Sequence, residues 1–261
     1  MIKMGLNSLI IRHGSWEYAN CIVSLLYKFN YNTMSGILNS SIGRKFAMAL
    51  SALFLMVFLL QHFAINILSV FSPDAFNDVS QFMGTFWAVQ YILQPVLIFG
   101  VIFHFVMGFV LEIKNNKARK VSYAKSNGSA NSSWMSRNML LTGAVVLAFM
   151  ILHFIDFWIP EINIKYIQGD MSGLLDPNVA DSGLRYHEEL VHKFQHPLRV
   201  GAYVLSFVLL SLHLLHGFSS AFQSVGANNK YTKGLEGFSK VYAIGIPLGF
   251  VFIALFHHFN H

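Results

Sequence analysis

Residues 198–222 read LRVGAYVLSFVLLSLHLLHGFSSAF. The stretch holds a single charged residue, Arg199, at its start and two histidines, His213 and His216, in its second half. At 1.5 Å per residue, a helix over Leu198–Phe222 is long enough to cross a hydrocarbon core about 30 Å thick. An ionisable side chain inside such a span is costly and marks a candidate functional site. The stretch therefore predicts both a membrane helix and a use for its histidines.

The pattern recurs. Four further apolar segments lie at about Phe46–Phe71, Phe86–Ile113, Met139–Ile159 and Val241–Phe259, with Pro95, Gly100, Gly108, Gly217 and Pro247 inside the spans, as membrane helices tolerate. Over the 261 residues, 54% are hydrophobic and 11% charged, against about 25% charged in soluble domains. The expected fold is all-α, an integral membrane protein with five transmembrane helices. The net charge of +6 does not indicate nucleic acid, because the basic residues lie between spans rather than on one face. One cysteine, Cys21, leaves no material for disulfide frameworks, iron–sulfur clusters or cysteine-rich zinc sites, so metal chemistry falls to the twelve histidines.

The connectors set the expected orientation. Lys114, Lys117, Arg119, Lys120, Lys125 and Arg137 separate spans two and three; Lys230, Lys233 and Lys240 separate four and five; Arg44 and Lys45 precede span one. The alternate connectors carry Asp74 and Asp78, then an acidic excess over Pro160–Pro197. The positive-inside rule places the N-terminus in the cytoplasm and the C-terminus outside, with the chain multi-pass in a cell inner (cytoplasmic) membrane. Residues 1–40 read as an N-terminal extension, poorly ordered or partly upstream of a true start at Met34, and 41–261 as the transmembrane domain. A short interfacial helix is expected around Gly183–Phe194.

Histidines His62, His104 and His153 sit one in each of the first three spans, and His213 with His216 in the fourth. Facing helices of a bundle bind cofactors through inward side chains, and paired histidines are a usual axial set for electron-transfer haem. The first four helices are thus expected to form a haem-binding bundle. Gly100, His104 and Gly108 share a helix face, as do His213 and Gly217, which suits either a flat macrocycle against the backbone or close helix packing. His187, His192 and His196 resemble a zinc spacing but read as an aqueous loop, and His257, His258 and His261 as a solvated end.

Depth arithmetic pairs the four. His62 lies 18 residues beyond Arg44, at about 27 Å from the inner surface, and His153 16 residues beyond Arg137, at about 24 Å. His104 precedes Lys114 by ten residues and His213 precedes Gln223 by ten, each at about 15 Å. The expected pairs are His62 with His153 at an outer level and His104 with His213 at an inner one.

The chain resembles the dihaem cytochrome b anchor subunits of bacterial succinate dehydrogenase/fumarate reductase over about Met34–Phe259. The resemblance is carried by Ser41-Ile42-Gly43-Arg44-Lys45, Gln61-His62, Phe103-His104 with Gly108, Lys117-Ala118-Arg119, Leu152-His153 with Phe157-Trp158, His213-Leu-Leu-His216-Gly217-Phe218, Ser220-Ala221-Phe222-Gln223 and Ile246-Pro247-Leu248-Gly249. It implies two haem b groups on His62, His104, His153 and His213. It also implies a flavoprotein subunit and an iron–sulfur subunit docked on the cytoplasmic face, and a quinone, expected to be menaquinone, as substrate within the lipid. His213 is favoured over His216 because the resemblance places glycine four residues after the ligand. Ser41, Arg44, Asp156 and His216 are the candidates for quinone or propionate contacts. No dicarboxylate site is expected, since the chain has no Gly-rich dinucleotide fingerprint. The alternatives are the cytochrome b anchor of a hydrogenase or formate dehydrogenase, and a proton-coupled transporter with histidine relays.

Overall fold

A lipid-embedded chain must satisfy every backbone polar group internally, which long apolar segments achieve as helices. The computed structural model describes residues 40–118, 138–179, 181–227 and 229–260 and contains no strand among them, only an isolated bridge between Leu174 and Leu184. The principal α-helices among the described residues are α1 Ser41–Asn66, α2 Pro73–Thr85, α3 Gln94–Ala118, α4 Met139–His153, α5 Tyr186–Phe194, α6 Pro197–Ser224 and α7 Thr232–Phe259. Five helical stretches are long and apolar enough to cross a membrane: Ser41–Phe71, Val89–Asn115, Met139–Ile167, Pro197–Ser224 and Thr232–Phe259. The expected extension 1–40, apart from Ser40, and most of the basic connector after Lys114 lie outside the described residues. The chain divides into two units, Met1–Ala47 and Met48–His261. The described part of the first is the opening of α1, where Ser40 Oγ caps the helix by accepting from Gly43 N at 2.8 Å.

In the second unit the core lies where α6 and α7 pack together and against α1. One cluster joins Phe76, Leu190, Phe194, Tyr203, Phe207, Phe250 and Ile253; another joins Met56, Leu214, Phe218, Tyr242 and Ala243. Gly249 is required by this packing, because any Cβ there would collide with the Phe63 ring. Tyr242 donates its hydroxyl to Met56 O and so ties α7 to α1. By contrast, only 6% of the most apolar window of the second span is buried, against 44% in the last. Val96, Phe99, Ile102 and Val106 of α3 are exposed, as suits contact with lipid.

Two regions depart from the sequence expectation. The third span runs on to Ile167, beyond the expected Ile159, through π turns at Phe154–Trp158 and Asn163–Ile167. Pro160 lacks the N–H that a regular α-helix needs there, and the wider turn before it accommodates the loss. The first acidic connector also contains α2, which Ser72 caps by accepting from Ala75 N at 3.3 Å with Pro73 at the first helical position. A helix, α5, stands where a short one is expected in the second acidic connector. Near it Arg185 binds Glu161 and Glu189, while Lys165, 2% exposed, pairs with Glu161 and donates to Gly84 O. These bonds and those of Asn77 to Leu184 O and His187 N clasp α2, the end of the third span and α5.

Candidate functional site: two histidine pairs

The four spans bring the histidines together two by two. The rings of His62 (α1) and His153 (α4) have centroids 5.8 Å apart with an interplanar angle of 87°. Those of His104 (α3) and His213 (α6) are 6.4 Å apart at 73°. His213, and not its neighbour His216, meets His104. Separations of this size would let two imidazoles share one metal ion bonded at about 2.0–2.1 Å to each.

The His104–His213 pair is held in one protonation pattern by two hydroxyls. Ser51 Oγ gives its only hydrogen to Met48 O at 2.8 Å, so towards His104 Nδ1, 3.1 Å away, it can only accept. Thr142 Oγ1 likewise donates to Met139 O at 3.0 Å and accepts from His213 Nδ1 at 3.2 Å. Both rings therefore carry their proton on Nδ1 and a lone pair on Nε2, the tautomer in which a metal-binding histidine is oriented by a partner behind it. Two lone pairs on neighbouring rings suit an electron-pair acceptor.

Aromatic side chains surround the other pair instead. Phe58 stacks on His62 at 5.4 Å with Phe250 tilted at 5.8 Å, and Phe149 and Phe157 flank His153 at 6.0 and 5.3 Å. Asn66 Nδ2 donates to His62 O at 2.8 Å and lies 3.4 Å from each of the His62 ring nitrogens, favouring neither. His153 Nδ1 is buried with no hydrogen-bond partner among the described residues. A buried polar atom left unpaired is expensive, and such exceptions point to an unfilled role.

A second orphan lies three residues on. Asp156, in the π turn, is 2% exposed and not the headgroup-facing carboxylate that its place near the end of the span suggests. Its Oδ2 accepts from Tyr203 Oη at 2.9 Å and pairs with Arg199 Nε at 3.2 Å, while Oδ1 is buried without a hydrogen-bond partner among the described residues. Ser41 and Arg44 lie in the first turn of α1, and His216 is partly buried on α6.

The glycines beside the histidines take neighbouring side chains. A Cβ on Gly100 would stand 2.9 Å from the Phe54 ring, and one on Gly217 3.1 Å from Met139 Cε. At these two positions the observed use is helix packing. Gly143, not singled out from the sequence, lies under the His213 ring, where a Cβ would be 3.4 Å from Cε1. The sequence reading also missed Ser51, Thr142, Asn66, Tyr203 and Arg199. One signal for the hydroxyls existed: Ser51 and Thr142 each precede a histidine, His62 and His153, by 11 residues, three helical turns and so the same face.

The histidines read as loop or solvated end are integrated into the fold. His257 is 2% exposed with Nε2 2.9 Å from Ser69 Oγ, and His258 Nδ1 donates to Phe194 O at 2.9 Å, because α7 runs on past the bundle and packs against α5. His187 lies on α5 with its Nε2 3.1 Å from Ser69 O. Among the described residues no group of three or more His, Cys, Asp or Glu side chains is placed to hold a metal ion, so a metal at either pair would have two protein ligands. In comparisons with known proteins, no family model, no curated protein and no solved structure matches this chain.

Proposed function

We propose that this chain is the cytochrome b membrane anchor of a succinate dehydrogenase/fumarate reductase complex, with one haem b on His62 and His153 and a second on His104 and His213. The observation that carries the haem reading is the His104–His213 pair, whose lone-pair nitrogens are fixed by Ser51 and Thr142 inside a span-forming bundle. A metal with only two protein ligands needs its remaining ligands from elsewhere, which a macrocycle supplies and a tetrahedral zinc site does not. The specific complex rests on the sequence resemblance alone. When bound, haem would supply one-electron transfer at each level. The chain's own residues orient the imidazoles, keep water from them with phenylalanine rings, and hold a buried carboxylate beside the outer pair.

In this reading the flavoprotein and iron–sulfur subunits dock at the basic cytoplasmic end, and quinone, menaquinone in the favoured case, exchanges electrons from the lipid. The membrane is the inner (cytoplasmic) one, with the N-terminus inside and the C-terminus outside. Asp156 Oδ1 is the candidate acceptor for a quinol hydroxyl proton, with Tyr203 and Arg199 holding the carboxylate in place. Ser41, Arg44 and His216 remain the candidates for a second quinone contact or for propionates. Pyridine haemochrome analysis of the purified chain should give two haem b per polypeptide, and succinate-reducible spectra should accompany a co-purifying flavin subunit. A colourless chain would overturn the haem reading in favour of a transporter. A haem-bearing chain with a different soluble partner would overturn only the choice of complex.

A further inference from the structure

Two buried polar atoms on one turn of helix, His153 Nδ1 and Asp156 Oδ1, lack hydrogen-bond partners among the described residues. His153 closes α4, and Asp156 lies three residues on, in the π turn Phe154–Trp158. Residues three apart on a helix are neighbours, with Cβ atoms about 5–6 Å from each other. A helical side chain also covers the turn that precedes it, which brings the Asp156 carboxylate over the turn carrying His153. The surroundings of the two are shared. Phe149 packs on His153 at 6.0 Å and on Tyr203 at 5.1 Å, and Tyr203 binds Asp156 Oδ2.

The two atoms are chemically complementary. Asp156 Oδ2 accepts from Tyr203 Oη and pairs with Arg199 Nε, and the carboxylate offers only acceptors, so Oδ1 needs a donor. A neutral imidazole carries its proton on one nitrogen, and an acceptor near Nδ1 places it there. The two atoms make no direct hydrogen bond. One water between them would accept from Nδ1–H and donate to Oδ1, the usual service of a buried water to polar groups otherwise unpaired. Without it both groups would carry their full desolvation penalty.

We propose that Asp156 is the positioning residue of His153, acting on Nδ1 through one bound water. It is the counterpart of Ser51 and Thr142, with a carboxylate from the histidine's own span in place of a hydroxyl from a neighbouring helix. Nε2 of His153 keeps a lone pair, as on His104 and His213. The bond uses one lone pair of Oδ1 and leaves the other open to a quinol hydroxyl. Its effect on a cofactor rests on the reading that His62 and His153 share a haem; the proton on Nδ1 does not.

Asp156→Asn separates this role from packing. An amide has a single oxygen, which the donors Tyr203 and Arg199 claim, so its NH2 turns toward His153 and offers no acceptor there. Haem retention at the His62–His153 level should fall about 10–100-fold and stay unchanged at the His104–His213 level. The second readout is nuclear magnetic resonance of the full chain carrying isotope-labelled histidine, with any haem reduced. His153 should show an exchangeable proton on Nδ1. Asp156→Asn should move that resonance, or transfer the proton to Nε2 where no haem is bound. If the variant does not fold, the tautomer of the parent ring still decides. A parent proton on Nε2, an Nδ1 resonance that Asp156→Asn leaves in place, or equal haem loss at both levels would overturn the proposal. A colourless chain with the proton on Nδ1 would sustain it and overturn only the haem reading.

Discussion

The two histidine pairs differ in what stands behind the rings. His104 and His213 have a hydroxyl on each Nδ1, whereas among the described residues His62 has an amide near its ring nitrogens and His153 Nδ1 has no hydrogen-bond partner. The hydroxyls come from α1 and α4, the helices that carry the other pair, three turns away on the same faces. Two helices therefore carry the histidines of one pair and the hydroxyls behind the other, about 16 Å apart along the axis. The His62–His153 pair instead lies among phenylalanine rings, with Asp156 one turn beyond His153.

The largest effect that can break this comparison is loss of a histidine. His62→Ala and His153→Ala should remove the same spectral component and spare the other, and His104→Ala and His213→Ala should do the converse. If His62→Ala and His104→Ala abolish one component in common, the two-level description fails. His216→Ala should retain both components.

Removing an orienting hydroxyl comes next. Thr142→Val and Ser51→Ala should weaken cofactor retention at the His104–His213 level by about 10–100-fold, the usual consequence of losing a partner behind a metal-bound histidine. Retention at the His62–His153 level should not change. Equal loss at both levels, measured by haem content after dilution, would mean that the hydroxyls serve general stability.

Smaller effects sharpen the contrast. Asn66→Ala should shift the spectrum of the His62–His153 component alone, with a stability cost of about 0.6 kcal/mol, typical of a side-chain hydrogen bond within a membrane. Thermal unfolding followed by both haem bands checks this. Gly143→Ala should be milder still, because its Cβ would meet His213 Cε1 in ordinary van der Waals contact at 3.4 Å, changing the ring's surroundings without displacing it. A spectral shift confined to the His104–His213 component is the expected result; a shift in the other would break the separation between levels.

Legibility followed from range. The five spans were readable because a stretch such as 198–222 has one structural solution in lipid, a helix, whatever its neighbours do. The pairing expected from the fixed rise per residue agrees with the ring contacts of His62 with His153 and of His104 with His213. Where the helix departs from that rise, the reading failed: Pro160 marked the end of a span, and the π turns carried it on to Ile167. The same turn buries Asp156 against Tyr203 and Arg199, which no local pattern announces.

The sequence by itself determined that the chain is helical and built of segments able to span a membrane, and that four of those segments each bring a histidine into the apolar region. These are properties of single segments, fixed by hydropathy and helical geometry. Only the tertiary structure decided that Gly100 and Gly217 serve packing, that Ser51 and Thr142 stand behind His104 and His213, and that His257 is buried on Ser69. Each of those depends on the rotation of one helix about its axis relative to another. That rotation is set by how the whole set of side chains interlocks, and no single segment contains it.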